Sequence, residues 1–304
     1  MHQLTVTALP GTGAEDVVVD ARGDVWTGTE DGNVFRVRAD GGRIDRIGNT
    51  GGRPLGLELY DDRILVADAR LGLLAMDRSG GVERLVETVA GRPMVFCNNA
   101  AVARNGDIWF SDSSTKYSID RWKDDFVQNT RTGRLLCRRV GGEVEVHLDG
   151  LAFANGVALA PDESWVAVAE TGARTVVRLW LSGPRSGERD FLARDLPGYP
   201  DNIALGSDGL VWVTIASPRD PVVEVLQHRA PAGVRRMVTR IPEPLQPKPK
   251  RTARVQAYDA DGGLVHDVDC DPSGYHMVTG VREHQGRIWL GSLVEPAIAV
   301  TELR

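Results

Sequence analysis

Four oxygen-bearing side chains, Glu15, Asn98, Asn155 and Asp201, occupy the same place in four copies of one short pattern. The copies are GAEDVVVDARGDVWTGT from Gly13, FCNNAAVARNGDIWFSD from Phe96, FANGVALAPDESWVAVAE from Phe153 and YPDNIALGSDGLVWVTI from Tyr199. Each runs from the polar residue through a small apolar run and a tight turn into a second apolar run. The polar residue stands eight positions before a turn glycine in three copies (Gly23, Gly106, Gly209) and nine before Ser164 in the copy with Asn155. Two carboxylates and two amide carbonyls, with no His or Cys among them, form a hard-oxygen set that suits Ca2+ better than zinc or copper, and an all-protein cage suits Mg2+ poorly. The carboxylates would neutralise the ion, and of its about six to eight ligand positions several would stay open for water or a substrate oxygen. Asn99 and Asn202, each adjacent to one of the four, are candidates for supporting the ligands from behind.

Side chains so far apart in sequence need a repeated scaffold to meet. Strand-like alternation rich in Val, Ile, Leu and Trp runs along the chain, punctuated by hairpin turns such as DARGD, RNGD, PDES and SDG. A period of about 40–50 residues with several strands per unit predicts an all-β, six-bladed β-propeller. Its units fall at 9–51, 52–94, 95–150, 151–197, 198–272 and 273–304, as a single domain over 1–304. The last unit is too short for four strands, so the N-terminal LTVTALP is expected to supply its outer strand and close the ring, which also removes an exposed sheet edge. In this register the equivalent positions form an axial ring of Glu15, Leu55, Asn98, Asn155, Asp201 and Thr279.

Two units carry insertions. The run from Thr115 breaks the β alternation and predicts a short helical excursion before the strand at Leu135; the run from Pro221 reads as helical to Ile241 and then Pro-rich. In the second, Val222, Val225, Leu226, Val234, Met237 and Val238 form an interrupted apolar stripe near the helical period. Three roles fit it: a cap packed on the ring, a lid over a pocket, or a membrane-surface helix.

Net charge is −6, with no long basic run outside the neighbourhood of Lys248 to Arg251, which argues against a nucleic-acid surface and for small molecules or cations as partners. The N-terminus lacks a signal-peptide pattern, and no stretch approaches the roughly 18 apolar residues of a spanning helix. A cytoplasmic location without a membrane span is expected, and the oligomeric state is open. Cys97, Cys137 and Cys270 have no close-spaced pair, so they read as reduced core residues rather than a disulfide framework, a zinc site or a nucleophile.

On these residues the chain resembles the strictosidine synthase-like branch of the calcium-dependent propeller superfamily that includes senescence marker protein 30, the gluconolactonases and the paraoxonases. The likeness spans nearly the full length and is carried by FANGVALAPDESWVAVAET with VVRLWLSGP, LPGYPDNIALGSDGLVWV, SSTKYSIDRW with TGRLL, PLQPKPKR and VREHQGRIWLGSL. It implies a six-bladed fold with a catalytic calcium on Glu15, Asn98, Asn155 and Asp201. Two departures from the superfamily bear on the reaction. Plant strictosidine synthase carries a glutamate in the last blade where Thr279 stands here, which counts against an amine–aldehyde condensation. The paraoxonases place a histidine near the start of the second blade, where this chain reads RPLGLEL around Leu55.

The expected activity is therefore calcium-dependent hydrolysis of a small-molecule lactone or related ester. Asp201 would act as general base toward water or as nucleophile, and His276, at the mouth of the last blade, is the histidine placed for proton transfer. A condensing lyase, a phosphotriesterase-type hydrolase and a non-enzymatic calcium-binding propeller remain as alternatives. Ser113 and Ser114, which follow Asp112, lack the GxSxG elbow of a serine nucleophile.

Overall fold

The computed structural model describes residues 1–241 and 249–303. Among them, six four-stranded antiparallel sheets follow one another around a central axis. From the axis outward, blade 1 comprises Val17–Val19, Val25–Gly28, Asn33–Val37 and Ile44–Asn49, and blade 2 comprises Pro54–Tyr60, Arg63–Asp68, Gly72–Met76 and Val82–Val86. Blade 3 is built from Cys97–Val102, Ile108–Asp112, Gly133–Arg138 and Val144–Leu151, and blade 4 from Ala154–Leu159, Trp165–Glu170, Thr175–Trp180 and Arg189–Ala193. Blade 5 contains Gly198–Leu205, Val211–Pro218, Ala253–Tyr258 and Leu264–Cys270. Blade 6 takes Val278–His284, Arg287–Ser292 and Ala297–Glu302 from the C-terminus and Thr5–Ala8 from the N-terminus. The expected closure is present: Thr5 pairs with Val300 and Ala8 with Ala297.

Each sheet is covered on both faces by its neighbours, which explains why the inner strands read as near-continuous apolar runs rather than as a two-sided alternation. The cores lie between blades: Trp26, Val34, Leu57 and Leu74 between blades 1 and 2, for example, and Trp212, Val255, Val281 and Leu290 between blades 5 and 6. The turns are held locally. Asp20 accepts from the backbone of Arg22 and Asp24 while its other oxygen accepts from Trp26 Nε1 (3.0 Å), and Asp208 takes the same part for Trp212. All three cysteines are free and buried, and burial pushes the Cys97 thiol well above its usual range, so it is no nucleophile.

Three additions among the described residues go beyond the repeat. A short hairpin, Thr88–Val89 with Arg92–Pro93, precedes blade 3 and was not foreseen. The insertion in blade 3 forms a 3-10 turn at Ile119–Arg121 and helix α1, Trp122–Gln128; that in blade 5 forms α2, Pro221–Arg229, and α3, Ala232–Val238, broken at Pro231. Asp220 caps α2 by accepting from the backbone of Val222 and Val223, with Pro221 in the first turn. The Pro-rich stretch after Ile241 lies, over 242–248, outside the described residues. No helix among the described residues is long and apolar enough to cross a membrane.

Candidate metal centre

A repeated clamp presents the axial residues. The carboxylate ending the second strand of a blade reaches back to the segment leading into the first: Asp68 accepts from Arg53 N (3.0 Å), Asp112 from Phe96 N (3.1 Å) and Glu170 from Ala152 N (2.9 Å). Immediately afterwards, in blades 2 to 6, the first strand bulges. Residues 55–56 face the single residue Ala67, 98–99 face Ser111, 155–156 face Ala169, 201–202 face Thr214, and Thr279 is the extra residue in blade 6. A bulge breaks the strict in–out alternation and re-aims side chains. Here it falls on each axial ring position of these five blades.

Glu15, Asn98, Asn155 and Asp201 line one cavity of about 40 Å3, and all but Asp201 are nearly fully buried. One oxygen of each, Glu15 Oε2, Asn98 Oδ1, Asn155 Oδ1 and Asp201 Oδ1, makes no hydrogen bond within the protein. The other groups around them are taken. Asn155 Nδ2 donates to Thr171 Oγ1 (3.2 Å), Asp201 N to Thr214 Oγ1 (3.2 Å) and Thr279 Oγ1 to Glu15 O (3.0 Å). Burial pushes the Glu15 carboxyl well above its usual range, with the neighbouring Asp201 charge adding to the rise and Arg53 opposing it. Burial also raises the Asp201 carboxyl, opposed by the Asn155 amide and reinforced by Asp16. Two carboxyls that resist ionisation side by side, with four unmatched oxygens, could hold a hard cation. Among the described residues no three His, Cys, Asp or Glu side chains converge on a metal position, and a cation here would draw two of its four protein donors from amides.

Beneath the ring the sequence alternates in a way that the repeat spacing alone does not reveal. Blades 1, 3 and 5 follow the axial residue with Asp16, Asn99 and Asn202, whereas blades 2, 4 and 6 follow it with Gly56, Gly156 and Gly280. The hydroxyls of Thr27, Ser111 and Thr214 serve the backbone of the three polar residues. The glycines have ordinary φ angles and are required for space: a Cβ on Gly56 would lie 2.6 Å from Asn99 Nδ2, and one on Gly156 2.0 Å from Ile203 N. Asn99, expected as a support, bridges three blades, donating to Asp16 Oδ2 (3.2 Å) and accepting from Val157 N (2.9 Å). Asp16 also accepts from Leu57 N (3.0 Å), and burial pushes its carboxyl up to about 7 against the pull of Arg282. Asn202, the other expected support, is buried with neither side-chain atom hydrogen-bonded. Deeper along the inner strands Arg282 pairs with Glu58 (2.9 Å). Gly156→Ala is expected to lower stability by about 1–3 kcal/mol, because a backbone atom cannot yield as a side chain can; thermal denaturation beside Gly233→Ala, which meets open space, measures it.

The cavity walls above the ring are apolar, formed by Phe96, Ile119, Trp122, Phe126, Phe153 and Met277. Phe96 and Phe153 meet edge to face at 5.4 Å, and Phe126 meets Tyr199 likewise at 4.9 Å. Helix α1 thus roofs the cavity, and α2 and α3 buttress it from outside: Gln227 Nε2 donates to Phe126 O (2.7 Å) and Gln128 Nε2 to Thr239 Oγ1 (3.2 Å). The apolar stripe of the blade 5 insertion packs inward only in part, with Leu226 and Val238 half-buried. Val222, Val225 and Met237 are exposed, because the inward side of α2 is occupied by Gln227 and by Glu224, paired with Arg174 (3.2 Å).

His276 is not among the residues lining the cavity; its Nδ1 is engaged by the Glu295 carboxylate and lies 3.2 Å from Arg251. Asp112 pairs with Arg134 of the third strand of blade 3, Ser113 Oγ donates to Ala154 O of blade 4 (2.7 Å), and Ser114 Oγ donates to Asp125 Oδ2 of α1 (2.5 Å), so all three are engaged in structural contacts.

Comparison with known proteins agrees with this architecture. A family model described as strictosidine synthase matches residues 98–184, and one described as strictosidine synthase-like, N-terminal, matches residues 1–37. Two relatives from Arabidopsis thaliana, strictosidine synthase-like proteins 13 and 10, are 33% and 34% identical over 82% and 83% of this chain, which spans 60% and 70% of their respective lengths. The adipocyte plasma membrane-associated protein of Rattus norvegicus is 33% identical over 93% of the chain and 81% of its own length. Among solved structures, a gluconolactonase of Xanthomonas campestris superposes with a TM-score of 0.72 at 18% identity, covering 99% of this chain and 89% of the other. A calcium-binding protein, regucalcin, of Agrobacterium tumefaciens superposes with a TM-score of 0.67 at 14% identity, covering 98% and 91%. At these identities the two structures speak to the fold alone.

Proposed function

The chain belongs to the strictosidine synthase-like family of six-bladed propellers, and from that premise we propose that it is a calcium-dependent hydrolase of lactones or related esters. One observation carries the reading: four buried oxygens without partners, one from each of Glu15, Asn98, Asn155 and Asp201, around a single cavity. Unpaired buried oxygens are costly, and a divalent cation held by these four residues relieves all of them together. Solved propellers of this fold include a gluconolactonase and a calcium-binding regucalcin, so the fold is one that accommodates such a site.

Bound there, Ca2+ would supply Lewis-acid polarisation of the substrate carbonyl and stabilise its developing negative charge. Glu15, Asn98 and Asn155 hold and orient. Asp201 is the base: its second carboxylate oxygen, Oδ2, takes a proton from the attacking water, whose oxygen bonds to the acyl carbon. The acyl C–O bond then breaks and the departing alkoxide recovers the proton, giving a hydroxy acid from a lactone. Burial raises the proton affinity of the Asp201 carboxyl and a bound calcium would lower it, so Asp201 would act from its ionised form. His276, turned to Glu295, has no part in this scheme. Thr279 offers no carboxylate for a condensation, and its hydroxyl is committed to the Glu15 carbonyl.

The apolar roof bears on the substrate. Phe96, Phe126 and Phe153 offer no hydrogen bonds to a polyol and Trp122 offers a single indole N–H, so an alkyl or aryl lactone should be turned over about ten-fold or more faster than a sugar lactone, the selectivity of a few buried methylenes. The decisive assay is a lactone and ester panel with and without chelator, alongside metal content of the purified protein. Activity that is lost with chelator and restored by Ca2+ is the expected result. Undiminished activity without metal overturns the mechanism, and no hydrolysis across the panel favours a calcium-binding propeller that is not an enzyme.

A further inference from the structure

The outer face of α2 and α3 is unusual for this molecule. Val222, Val225 and Met237 are 65%, 51% and 64% exposed, and Val234 and Ile241 are exposed as well. The other large exposed apolar side chains among the described residues are scattered over the chain, singly except for the adjacent Leu264 and Val265. Apolar residues of a cap or lid should face the pocket, yet here only Leu226 and Val238 are half-buried and the inward side of α2 carries the polar contacts of Glu224 to Arg174 and Gln227 to Phe126 O. The outward apolar face therefore serves something outside the molecule.

Charge narrows the partner. Residues 219–241 contain five arginines, one aspartate and one glutamate, a net +3 in a chain whose total is −6. Arg229, Arg236 and Arg240 are exposed beside the apolar side chains. A second copy of the chain would bring this positive face against itself, which is unfavourable for a symmetric contact. An anionic lipid surface satisfies both parts: arginines reach the headgroups while short apolar side chains enter the boundary with the acyl chains. We infer that α2 and α3 dock the protein on an anionic bilayer. Because these helices buttress α1, docking would set the roofed mouth of the cavity beside the membrane, where apolar solutes collect.

Co-sedimentation with phosphatidylcholine vesicles, with and without phosphatidylglycerol, tests this at fixed ionic strength and calcium. The intact chain is expected to bind the phosphatidylglycerol vesicles about ten-fold or more tightly than the neutral ones, and to lose that preference with rising salt. A Val222→Ser, Val225→Ser, Met237→Ser variant should lose about ten-fold in binding, through three lost apolar contacts. An Arg229→Gln, Arg236→Gln, Arg240→Gln variant should bind both vesicle types alike. Thermal denaturation of both variants with and without Ca2+ checks that the propeller is intact. Failure of the intact chain to bind either vesicle overturns the inference, as does vesicle binding untouched by both variants. So does a dimer in light scattering that the serine variant dissociates, since the face would then belong to a second copy.

Discussion

Replacing Asp201 by asparagine is expected to leave a folded propeller that hydrolyses lactones about 10^3-fold more slowly at saturating calcium, within the range attributed to a positioned general base. The substitution keeps an oxygen donor of the kind that Asn98 and Asn155 already provide, so calcium is bound more weakly but not abolished. That separates the two roles assigned to Asp201. A variant slow only because its ion is missing recovers when calcium is raised; one that has lost the base does not. Asp201→Ala, with neither charge nor donor, should fail in both respects. Turnover by Asp201→Asn equal to that of the parent at saturating calcium would remove Asp201 as the base while leaving the metal site standing. Thr214, which accepts from Asp201 N, keeps the backbone at this position in place whichever side chain is present.

The second large effect is on stability, and it depends on pH. Glu15, Asp16 and Asp201 all have carboxyls raised above their unfolded values by burial, Asp16 to about 7. For such groups the unfolded chain gives up its protons first as pH rises. Without metal, the fold is therefore most favoured where all three are neutral, and stability falls from about pH 4 upward through 7 as ionisation is forced on buried oxygens. Calcium would reverse the penalty at Glu15 and Asp201, whose oxygens it would occupy, and it competes with fewer protons as pH rises. At about 1,000 times its dissociation constant it should add about 4 kcal/mol. The gain in melting temperature on adding Ca2+ should be large at pH 8 and small at pH 5, as calorimetry on chelated and calcium-loaded protein would show. An equal gain at both pH values would place the ion on groups other than these carboxyls.

Much of the architecture was legible because the chain repeats it. Valine- and tryptophan-rich runs, turns of Asp, Asn and Gly, and a last unit short by one strand are local features, and the six sheets fall within a few residues of the expected units. Glu15, Asn98, Asn155 and Asp201 emerged from the same repetition, since a fixed distance to the turn means a fixed height along the axis. The alternation of Asp16, Asn99 and Asn202 with Gly56, Gly156 and Gly280 was equally present in the letters but carries meaning only once neighbouring blades are in contact. Each glycine makes room for a neighbouring blade's backbone or polar side chain.

What the residues determined by themselves was which side chains stand at equal heights on equivalent strands, because strand period and turn chemistry act over a handful of neighbours. What only the tertiary structure decided was where those side chains aim and what surrounds them. The bulges that turn residues 55–56, 98–99, 155–156 and 201–202 toward the axis depend on pairing with a second strand, and the loss of His276 to Glu295 depends on a loop nineteen residues away. The outward apolar face of α2 and α3 has the same kind of cause. Helical periodicity places Val222, Val225 and Met237 in an apolar stripe, but Arg174 and Phe126, brought from other blades, claim the inward side of α2 for Glu224 and Gln227 and leave the stripe facing out.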